Sequence, residues 1–171
     1  PHAPGLPAKD RTKLFASLNQ TIASLHTLDP AALGLADFGR PEGYVARQVS
    51  RWSQQYRASE TRKIDEMDRL IAWLPGVIPP QTANAIVHGD FRLDNCIIHP
   101  TEPRVVAVLD WELSTLGHPF SDIAYQCMQL RIPADPNLGN LGGLGGLDRH
   151  ALGIPTEAEY VARYCERMGL A

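Results

Sequence analysis

The fold is decided by the stretch HGDFRLDN, residues 88–95. One short apolar run precedes it at 85–87 and another follows at 96–98, and both runs are typical of short strands. Asp90 and Asn95 therefore lie on a connection between two strands, a common place for side chains that carry chemistry. At average composition, H-x-D-x-x-x-x-N should occur by chance in roughly one chain of this length per hundred.

A further carboxylate stands at the end of a third apolar run, where residues 105–109 are followed by Asp110. The tight connection at 99–104 predicts that this third strand lies beside the strand at 96–98. The spacing of Asp90, Asn95 and a strand-ending Asp is that of the protein-kinase signature. Because all three features occur together, coincidence is a much weaker explanation than for the first motif alone.

Phosphoryl transfer explains these residue types, since it needs an oriented hydroxyl and charge neutralisation around the moving phosphoryl group. A carboxylate can accept the hydroxyl proton and aim the oxygen in line, which is the role predicted for Asp90. Mg²⁺ prefers oxygen ligands and often takes only one or two of them from the protein. Asn95 and Asp110 are the predicted metal ligands.

The chain resembles the aminoglycoside phosphotransferase and choline kinase-like family of small-molecule kinases. The motifs that carry the resemblance are HGDFRLDN (88–95), VLDWE (108–112) and G-x-P-x-x-D (117–122). Two phrases, RWSQQYRASE (51–60) and HGDFRLDN, look closest to the branch associated with acyl-CoA dehydrogenases, where hydroxylated acyl substrates are implicated. The resemblance covers residues 10–168. It implies an α+β, mainly helical fold: the C-terminal lobe of a protein-kinase-like fold, with a small β-hairpin-type sheet carrying the catalytic and metal loops.

The resemblance also implies roles for individual residues. Asp90 falls on the catalytic aspartate, and Asn95 and Asp110 fall on the magnesium ligands that hold ATP, the phosphoryl donor. Asp122 falls on the aspartate that braces the catalytic loop. His88 would be a structural member of the same loop, and we prefer this to a direct chemical role.

The N-terminal lobe of such a kinase, with its glycine-rich strand-loop-strand and ATP-contacting lysine, has no counterpart in this sequence. Lys9, Lys13 and Lys63 lie in or beside predicted helices. We expect the parent protein to supply the missing lobe, while deletion, disorder and supply by another chain all stay open. The 171-residue chain alone should bind ATP weakly or not at all.

Several neighbouring residues have two interpretations. Arg92 could neutralise the transferred phosphate, as a second catalytic residue, or could pair with Asp94 or Glu112. Glu112 could also reach a second metal through water, but a polar strand-end residue is the preferred interpretation. Trp111 is expected to pack rather than to stack on substrate.

The glycine-dense stretch at 139–147 fits neither phosphate-binding glycine motif and does not follow a strand, so a mobile loop near the acceptor pocket is the preferred interpretation. His99, His118 and the cysteines lack metal-ligand spacing.

The rest of the chain is predicted to be mainly helical. Asp10 is a plausible N-cap for a helix over 13–26, and Thr156 with Glu159 forms a capping box. Trp52 and Tyr56, at helical spacing, are expected in the core. We expect a single domain over 1–171, made of a helical subregion at 10–75, a catalytic and metal-binding core at 85–131, a Gly/Pro-rich loop at 133–155 and a terminal helix at 156–168.

Composition limits the partners. The 171 residues carry 16 Lys+Arg and 19 Asp+Glu, a net charge of −3, which argues against nucleic acid or an anionic membrane as partner. The apolar runs are too short to span a bilayer. The cysteines Cys96, Cys127 and Cys165 are odd in number and widely spaced, which predicts free thiols and a cytoplasmic location.

Three functions remain at this stage. The first is the catalytic lobe of an ATP- and Mg²⁺-dependent kinase acting on a small-molecule hydroxyl, of either a hydroxylated acyl compound or an aminoglycoside-like alcohol. The second is a kinase-like binding module without turnover. A metal-dependent hydrolase ranks last, because it would not need Asn95 at that spacing.

Overall fold

The structure is a computed structural model that describes residues 5–135, 137 and 142–170. Its helices and small antiparallel strand pairs confirm the α+β, mainly helical fold class. The helices are α1 (Ala8–His26), α2 (Tyr44–Ser59), α3 (Asp65–Trp73), α4 (Phe120–Arg131), α5 (Arg149–Leu152) and α6 (Glu157–Met168), and the strands are β1 (Ala85–Val87), β2 (Cys96–Ile98), β3 (Val105–Val108) and β4 (Thr115–Gly117). Single 3₁₀ turns occur at Leu74–Gly76, Leu93–Asn95 and Trp111–Leu113.

The longest described helix, α1, is central to the fold and begins earlier than expected. Leu18 and Ile22 recur at helical spacing and are buried. The prediction of Asp10 as N-cap is wrong, because Pro7 takes that position in an extended conformation. Asp10 instead lies in the first turn, where a carboxylate interacts favourably with the helix dipole, and it pairs with Lys13 at 3.2 Å.

The hydrophobic core forms where α1, α4 and α6 meet. α1 contacts α6, β1, β3 and α5, and α4 contacts α6. Apolar side chains from these helices close around Phe91, which follows the Asp90 position and is buried. The stretch at 88–95 is therefore attached directly to the core. The principal buried members are Phe15, Leu18, Ile22, Ile123, Cys127, Leu130, Tyr160 and Tyr164.

Two separate antiparallel pairs carry the loops of interest. β2 pairs with β3, with Ile97 opposite Ala107, which confirms the predicted hairpin. β1 pairs with β4, with Ile86 opposite Leu116. β4 was not predicted, because the three residues Thr-Leu-Gly are too few to show an alternating pattern. This second pair connects the start of the loop at 88–95 to the segment that leads into α4.

The helices α2 and α3 stand largely outside the core. Tyr44 is the one buried residue of α2, and no residue of α3 is buried. The prediction that Trp52 is a core residue is wrong, since 49% of its surface is exposed, and Tyr56 is only partly buried. The apolar faces of the two helices instead line an open groove of about 300 Å³.

The C-terminal part follows its predicted caps. Thr156 and Glu159 form the capping box of α6, with the Thr156 amide donating to Glu159 Oε2 at 2.7 Å. Pro119 is the N-cap of α4. The predicted loop at 133–155 contains the short helix α5.

The glycine-dense stretch lies partly outside the described residues, which omit 138–141. Its described end packs against the end of α4. Leu144 is buried, and its amide donates to the Gln129 carbonyl at 2.8 Å. A Cβ at Gly143 would lie 2.2 Å from the Ile132 carbonyl oxygen, so a larger residue does not fit there.

The three cysteines are free thiols, as predicted. Burial raises the pKa of Cys96 and of Cys127 to about 11, so these two thiols are largely protonated at neutral pH. None of the described helices has the length and apolar character needed to cross a bilayer.

Replacing Leu18 by Ala should lower the free energy of unfolding by about 2–5 kcal/mol, because it leaves a cavity in the core. Leu28→Ala is the matched control, since Leu28 follows the same helix and is 44% exposed, and it should change stability by less than about 0.5 kcal/mol. Urea unfolding measures both. Equal losses in the two variants would contradict the core described here.

Candidate functional site

The predicted catalytic loop, residues 88–95, follows β1 and contains a glycine that no other residue can replace without strain. Gly89 has φ +85°, a conformation that side chains with a Cβ rarely adopt. A Cβ at Gly89 would also lie 2.7 Å from the Leu113 carbonyl oxygen. Gly89 thus allows the chain to turn tightly and present Asp90, which is partly exposed.

Asp122 binds the backbone of this loop through its buried carboxylate. Its side chain is only 1% exposed, and it accepts hydrogen bonds from two successive backbone amides, that of His88 to Oδ2 at 2.7 Å and that of Gly89 to Oδ1 at 2.8 Å. Asp122 lies in the first turn of α4, where the helix dipole favours negative charge. Asp122 thus contacts the loop for which the resemblance implies it as a brace, and that role stays a prediction.

His88 links the loop to the end of β3. The Asp90 amide donates to His88 Nδ1 at 3.3 Å, and His88 Nε2 lies 2.9 Å from the Leu109 carbonyl oxygen. With Nδ1 accepting, Nε2 carries the proton and donates to Leu109. Trp111 covers the His88 ring, with 4.7 Å between ring centroids. His88 is fully buried and has the structural contacts predicted for it.

Asn95 contacts Asp90 directly. Its Nδ2 donates to both the backbone oxygen and the Oδ2 of Asp90, each at 2.9 Å. This fixes the Asp90 carboxylate and leaves the amide oxygen of Asn95 for another partner. The Asn95 backbone oxygen also accepts from the Leu109 amide at 2.8 Å.

Asp110 is linked to this loop through the residue before it. Both backbone groups of Leu109 are hydrogen-bonded. Its amide donates to the Asn95 carbonyl, and its carbonyl accepts from His88. Asp110 itself has φ 65° and ψ 58° and is the one non-glycine residue with positive φ among those described. Backbone strain of this kind is concentrated at functional sites. Its carboxylate is exposed.

The donor set fits a magnesium ion that is shared with phosphate. Within the described ranges, no three His, Cys, Asp or Glu side chains converge as a metal-binding group, so this part of the chain offers no closed protein cage. It offers instead the Asn95 amide oxygen and the Asp110 carboxylate. Two oxygen ligands, completed by phosphates and water, are what Mg²⁺ commonly takes.

Arg92 makes its contacts with Asp94 and not with Asp90, Asn95 or Asp110. Its guanidinium pairs with Asp94, with Nε 3.0 Å from Asp94 Oδ2. This hydrogen bond is the main cause that raises the pKa of Arg92. Of the two interpretations left open above, the structure contains the pairing with Asp94. The role of Arg92 at the transferred phosphate stays a prediction.

Two further predicted neighbours of the site lie on the 3₁₀ turn after Asp110. Trp111 packs against His88, as expected, and donates from Nε1 to the Val108 carbonyl at 2.9 Å. Glu112 is exposed.

Three residues around the site were not expected from the sequence. Tyr125 lies beside Asp90 and Arg92. The pKa of its phenol is raised mainly by burial and secondly by the nearby Asp90 carboxylate. Its position three residues after Asp122, on the same helix face, was a usable signal. His26 and Tyr164 reach Asp122 from α1 and α6. No local sequence pattern could have paired them, because 138 residues separate the two.

Beside the loop lies a cavity of about 200 Å³ between α2 and α4. It is lined by Gly89 and Tyr125 on the catalytic side and by Arg51 on α2. Val45 and Trp52 line both this cavity and the apolar groove between α2 and α3. The two spaces therefore adjoin, and together they extend from the catalytic loop along α2.

Comparison with known proteins gives consistent matches. The profile of the phosphotransferase enzyme family (APH) matches residues 1–153. Acyl-CoA dehydrogenase family member 10 of Mus musculus is 46% identical over 171 residues, which cover 99% of this chain and 16% of the mouse protein. Acyl-CoA dehydrogenase family member 11 of Rattus norvegicus is 43% identical over 168 residues, covering 98% of this chain and 21% of the rat protein. The chain thus spans about a fifth or less of these relatives.

Solved structures agree with the profile. The chain superposes on a "putative aminoglycoside phosphotransferase" from Ralstonia eutropha with a TM-score of 0.91 and 51% identity, covering 98% of this chain and 50% of that one. An aminoglycoside-3'-phosphotransferase of type VIII gives a TM-score of 0.62 at 21% identity, covering 95% and 57%, a likeness that concerns the fold alone. These matches confirm the resemblance and the kinase-like fold inferred from the motifs. The chain belongs to the phosphotransferase enzyme family.

Proposed function

We propose that this chain is the catalytic lobe of a small-molecule kinase that transfers the γ-phosphate of ATP to a substrate hydroxyl. The observation that carries the proposal is the contact between Asn95 and Asp90 beside Asp110. Kinase chemistry needs one carboxylate for the hydroxyl and two oxygen donors for metal-bound phosphate. The residues here are of those types: Asn95 donates to Asp90, and Leu109, the residue before Asp110, is bonded to Asn95 and to His88.

Asp90 acts on the acceptor hydroxyl. Its carboxylate accepts a hydrogen bond from the hydroxyl and takes the proton as the hydroxyl oxygen bonds to the γ-phosphorus. The bond between the γ-phosphorus and the bridging oxygen breaks, ADP leaves with that electron pair, and Asp90 later returns the proton to solvent. Asn95 holds Oδ2 of this carboxylate at 2.9 Å, so the base is oriented before the acceptor arrives.

Asn95 and Asp110 are the residues that would hold magnesium. The bound ion would neutralise charge on the donor phosphates. The strained backbone of Asp110 and the two hydrogen bonds of Leu109 fix the backbone that carries the carboxylate. Metal binding would therefore require little further ordering of the chain.

Arg92 is proposed for the transferred phosphate in second place. It would have to exchange its bond with Asp94 for one with the phosphate, and a guanidinium can bind either oxyanion bidentately.

The adjoining cavity and groove favour a hydroxylated acyl compound as the acceptor. The groove is almost entirely apolar, with Met67, Leu70 and Ile71 facing Trp52 across it. None of the described residues that line the cavity or the groove is Asp or Glu. An aminoglycoside is polycationic and would be recognised by carboxylates, whereas an acyl chain buries apolar surface at about 25 cal/mol per Å².

Polar groups in the same spaces suit the other end of such a molecule. Arg51 lines the cavity beside Gly89 and would attract a carboxylate or another anionic group. Tyr56 has a buried hydroxyl with no hydrogen-bond partner among the described residues, and it lines the groove. A buried hydroxyl without a partner is costly, and a carbonyl oxygen of the acceptor would satisfy it. The names of the relatives, acyl-CoA dehydrogenases, agree with an acyl compound.

Asp90→Asn should reduce kcat for ATP-dependent phosphorylation about 10²-fold or more in the full-length protein, because the amide cannot accept the proton. A panel of hydroxylated fatty acids and hydroxyacyl thioesters, with an aminoglycoside for comparison, provides the acceptors. Asp10→Asn is the control, since Asp10 is at the opposite end of α1 from His26, roughly 24 Å away. Activity of Asp90→Asn within threefold of wild type would refute the role of Asp90. Ligand binding without turnover in any form would favour a binding module.

Asp110→Asn should raise the Mg²⁺ concentration for half-maximal activity on the order of tenfold or more, because a neutral amide is a weaker ligand than a carboxylate. Titration with Mn²⁺, followed by its effect on water proton relaxation, measures binding without turnover. Glu102→Gln is a matched control on the connection between β2 and β3, where Glu102 pairs with Arg104. Unchanged metal binding in Asp110→Asn would remove Asp110 from the metal site.

Trp52→Ala should raise KM for a long-chain hydroxyacyl acceptor about tenfold or more and change that for a short-chain acceptor little, because the indole provides apolar surface to the chain. Trp73→Ala is the control: Trp73 ends α3, is 59% exposed and lines neither space. Steady-state kinetics over a series of chain lengths tests this. Equal KM changes for long and short acceptors would contradict the acyl groove.

A further inference from the structure

Tyr125 lies on α4 at the edge of the cavity beside the loop at 88–95. It follows Asp122 by one turn on the same face of the helix, and it lines the cavity together with Gly89. Its phenol interacts with the Asp90 carboxylate and with the Arg92 guanidinium. No step of the proposed reaction has used this phenol so far.

We propose that Tyr125 is a positioning residue for phosphoryl transfer, and that its hydroxyl donates a hydrogen bond to the Asp90 carboxylate from the side of the cavity. The inference rests on the proposed function for its kinetic part only. Asn95 holds Oδ2 of the same carboxylate from within the loop, at 2.9 Å. Two donors on separate elements fix the direction in which Asp90 faces the acceptor hydroxyl.

One donor is a weak constraint on a carboxylate. The last torsion of an aspartate side chain is broad, so a single contact with Asn95 leaves the Asp90 carboxylate a wide range of rotation. The two oxygens of a carboxylate offer about four lone-pair positions. Asn95 and Tyr125 would use two of them, and the acceptor hydroxyl needs one more. The second donor therefore aligns the base without blocking it.

The charges around the phenol set the direction of its hydrogen bonds. Burial raises the pKa of the Tyr125 phenol, the Asp90 carboxylate raises it further, and Arg92 lowers it by less. The phenol is therefore protonated at neutral pH. Its hydrogen goes to the neighbour that can only accept, the ionised carboxylate, and its oxygen accepts from Arg92, which can only donate. Tyr125 thus links the two residues.

The position on α4 gives this phenol a firm attachment. Ile123 and Cys127, two residues before and after Tyr125, are buried in the hydrophobic core. A side chain on a rigid helix holds a functional group more precisely than a side chain on a loop does. The second donor to Asp90 therefore comes from the core and not from the loop that carries Asp90.

Tyr160 provides the matched control. Its phenolic hydroxyl also donates to a side chain of α4, that of Gln126, the residue next to Tyr125. Tyr160 is buried in the core and lines neither the cavity beside the loop nor the groove between α2 and α3. Tyr160→Phe therefore measures the cost of losing an equivalent hydroxyl away from Asp90.

Tyr125→Phe removes the hydroxyl and keeps the ring. In the full-length protein, with hydroxyacyl acceptors, we expect kcat to fall about tenfold because the base loses a donor to its charged form. KM for ATP and for the acceptor should change little, since the contact acts on the base. Tyr160→Phe should keep kcat within about threefold of wild type. Packing of the ring alone would instead leave Tyr125→Phe at the wild-type kcat.

Fluorine NMR provides a readout that needs no turnover. A 3-fluorotyrosine label at position 125 of the full-length protein reports on the hydrogen bonds of that phenol. We expect its resonance to shift in Asp90→Ala, which removes the carboxylate, and again in Arg92→Ala, which removes the other neighbour. Asp10→Asn, remote from the label, should leave the resonance in place.

Two results would overturn the positioning role. One is a label that responds to Asp90→Ala and to Arg92→Ala no more than to Asp10→Asn. The other is a kcat of Tyr125→Phe equal to that of Tyr160→Phe. If the label responds as expected and neither the wild-type protein nor any variant transfers phosphate, the proposed function fails and the contact between Tyr125 and Asp90 stands.

Discussion

The whole site depends on one buried carboxylate. Removing an ionised carboxylate from water costs several kcal/mol unless hydrogen bonds compensate for the lost solvation. Asp122 obtains these bonds from the amides of His88 and Gly89 and from His26. Because two successive amides bind the two oxygens of one carboxylate, the two peptide planes on either side of His88 are fixed, and the Asp90 amide is held in turn by His88 Nδ1. The direction in which Asp90 leaves the backbone is a consequence of that constraint.

A second link joins the loop at 88–95 to Asp110, the proposed metal ligand, and it runs through the backbone. Both polar groups of Leu109 are engaged by the loop, one by His88 and the other by Asn95. The left-handed conformation of Asp110 costs about 1–3 kcal/mol and persists only where the surroundings enforce it. These bonds and the Trp111 contact with the Val108 carbonyl provide that enforcement. The loop and the strand end would therefore move together.

Local spacing predicted the family and the β2–β3 hairpin correctly, but it did not predict the contacts that support the loop at 88–95. The motif at 88–95 and the strand-ending Asp110 identified the family and the hairpin that brings these residues together. β4 was not predicted, because three residues are too few to show a strand period. Trp52 was wrongly predicted as a core residue, because helical periodicity identifies an apolar face and not what covers that face. His26 and Tyr164 could not be found, since their contact with Asp122 depends on how α1, α4 and α6 pack. Asp90, Asn95 and Asp110 as site residues remain predictions that the proposed experiments address.

The two halves of the proposed site differ in how they are supported. Two-stranded pairs are marginally stable by themselves, so the loops that carry Asp90 and Asp110 rely on the helical core beneath them. The α2–α3 side relies on much less: Tyr44 is its one buried residue, and it packs so closely on β4 that a Cβ at Gly117 would lie 2.7 Å from its ring. Substitutions along the groove therefore disturb few core contacts. If the groove takes the acceptor as proposed, a fold built this way can change its acceptor while Asp90, Asn95 and Asp110 stay in place.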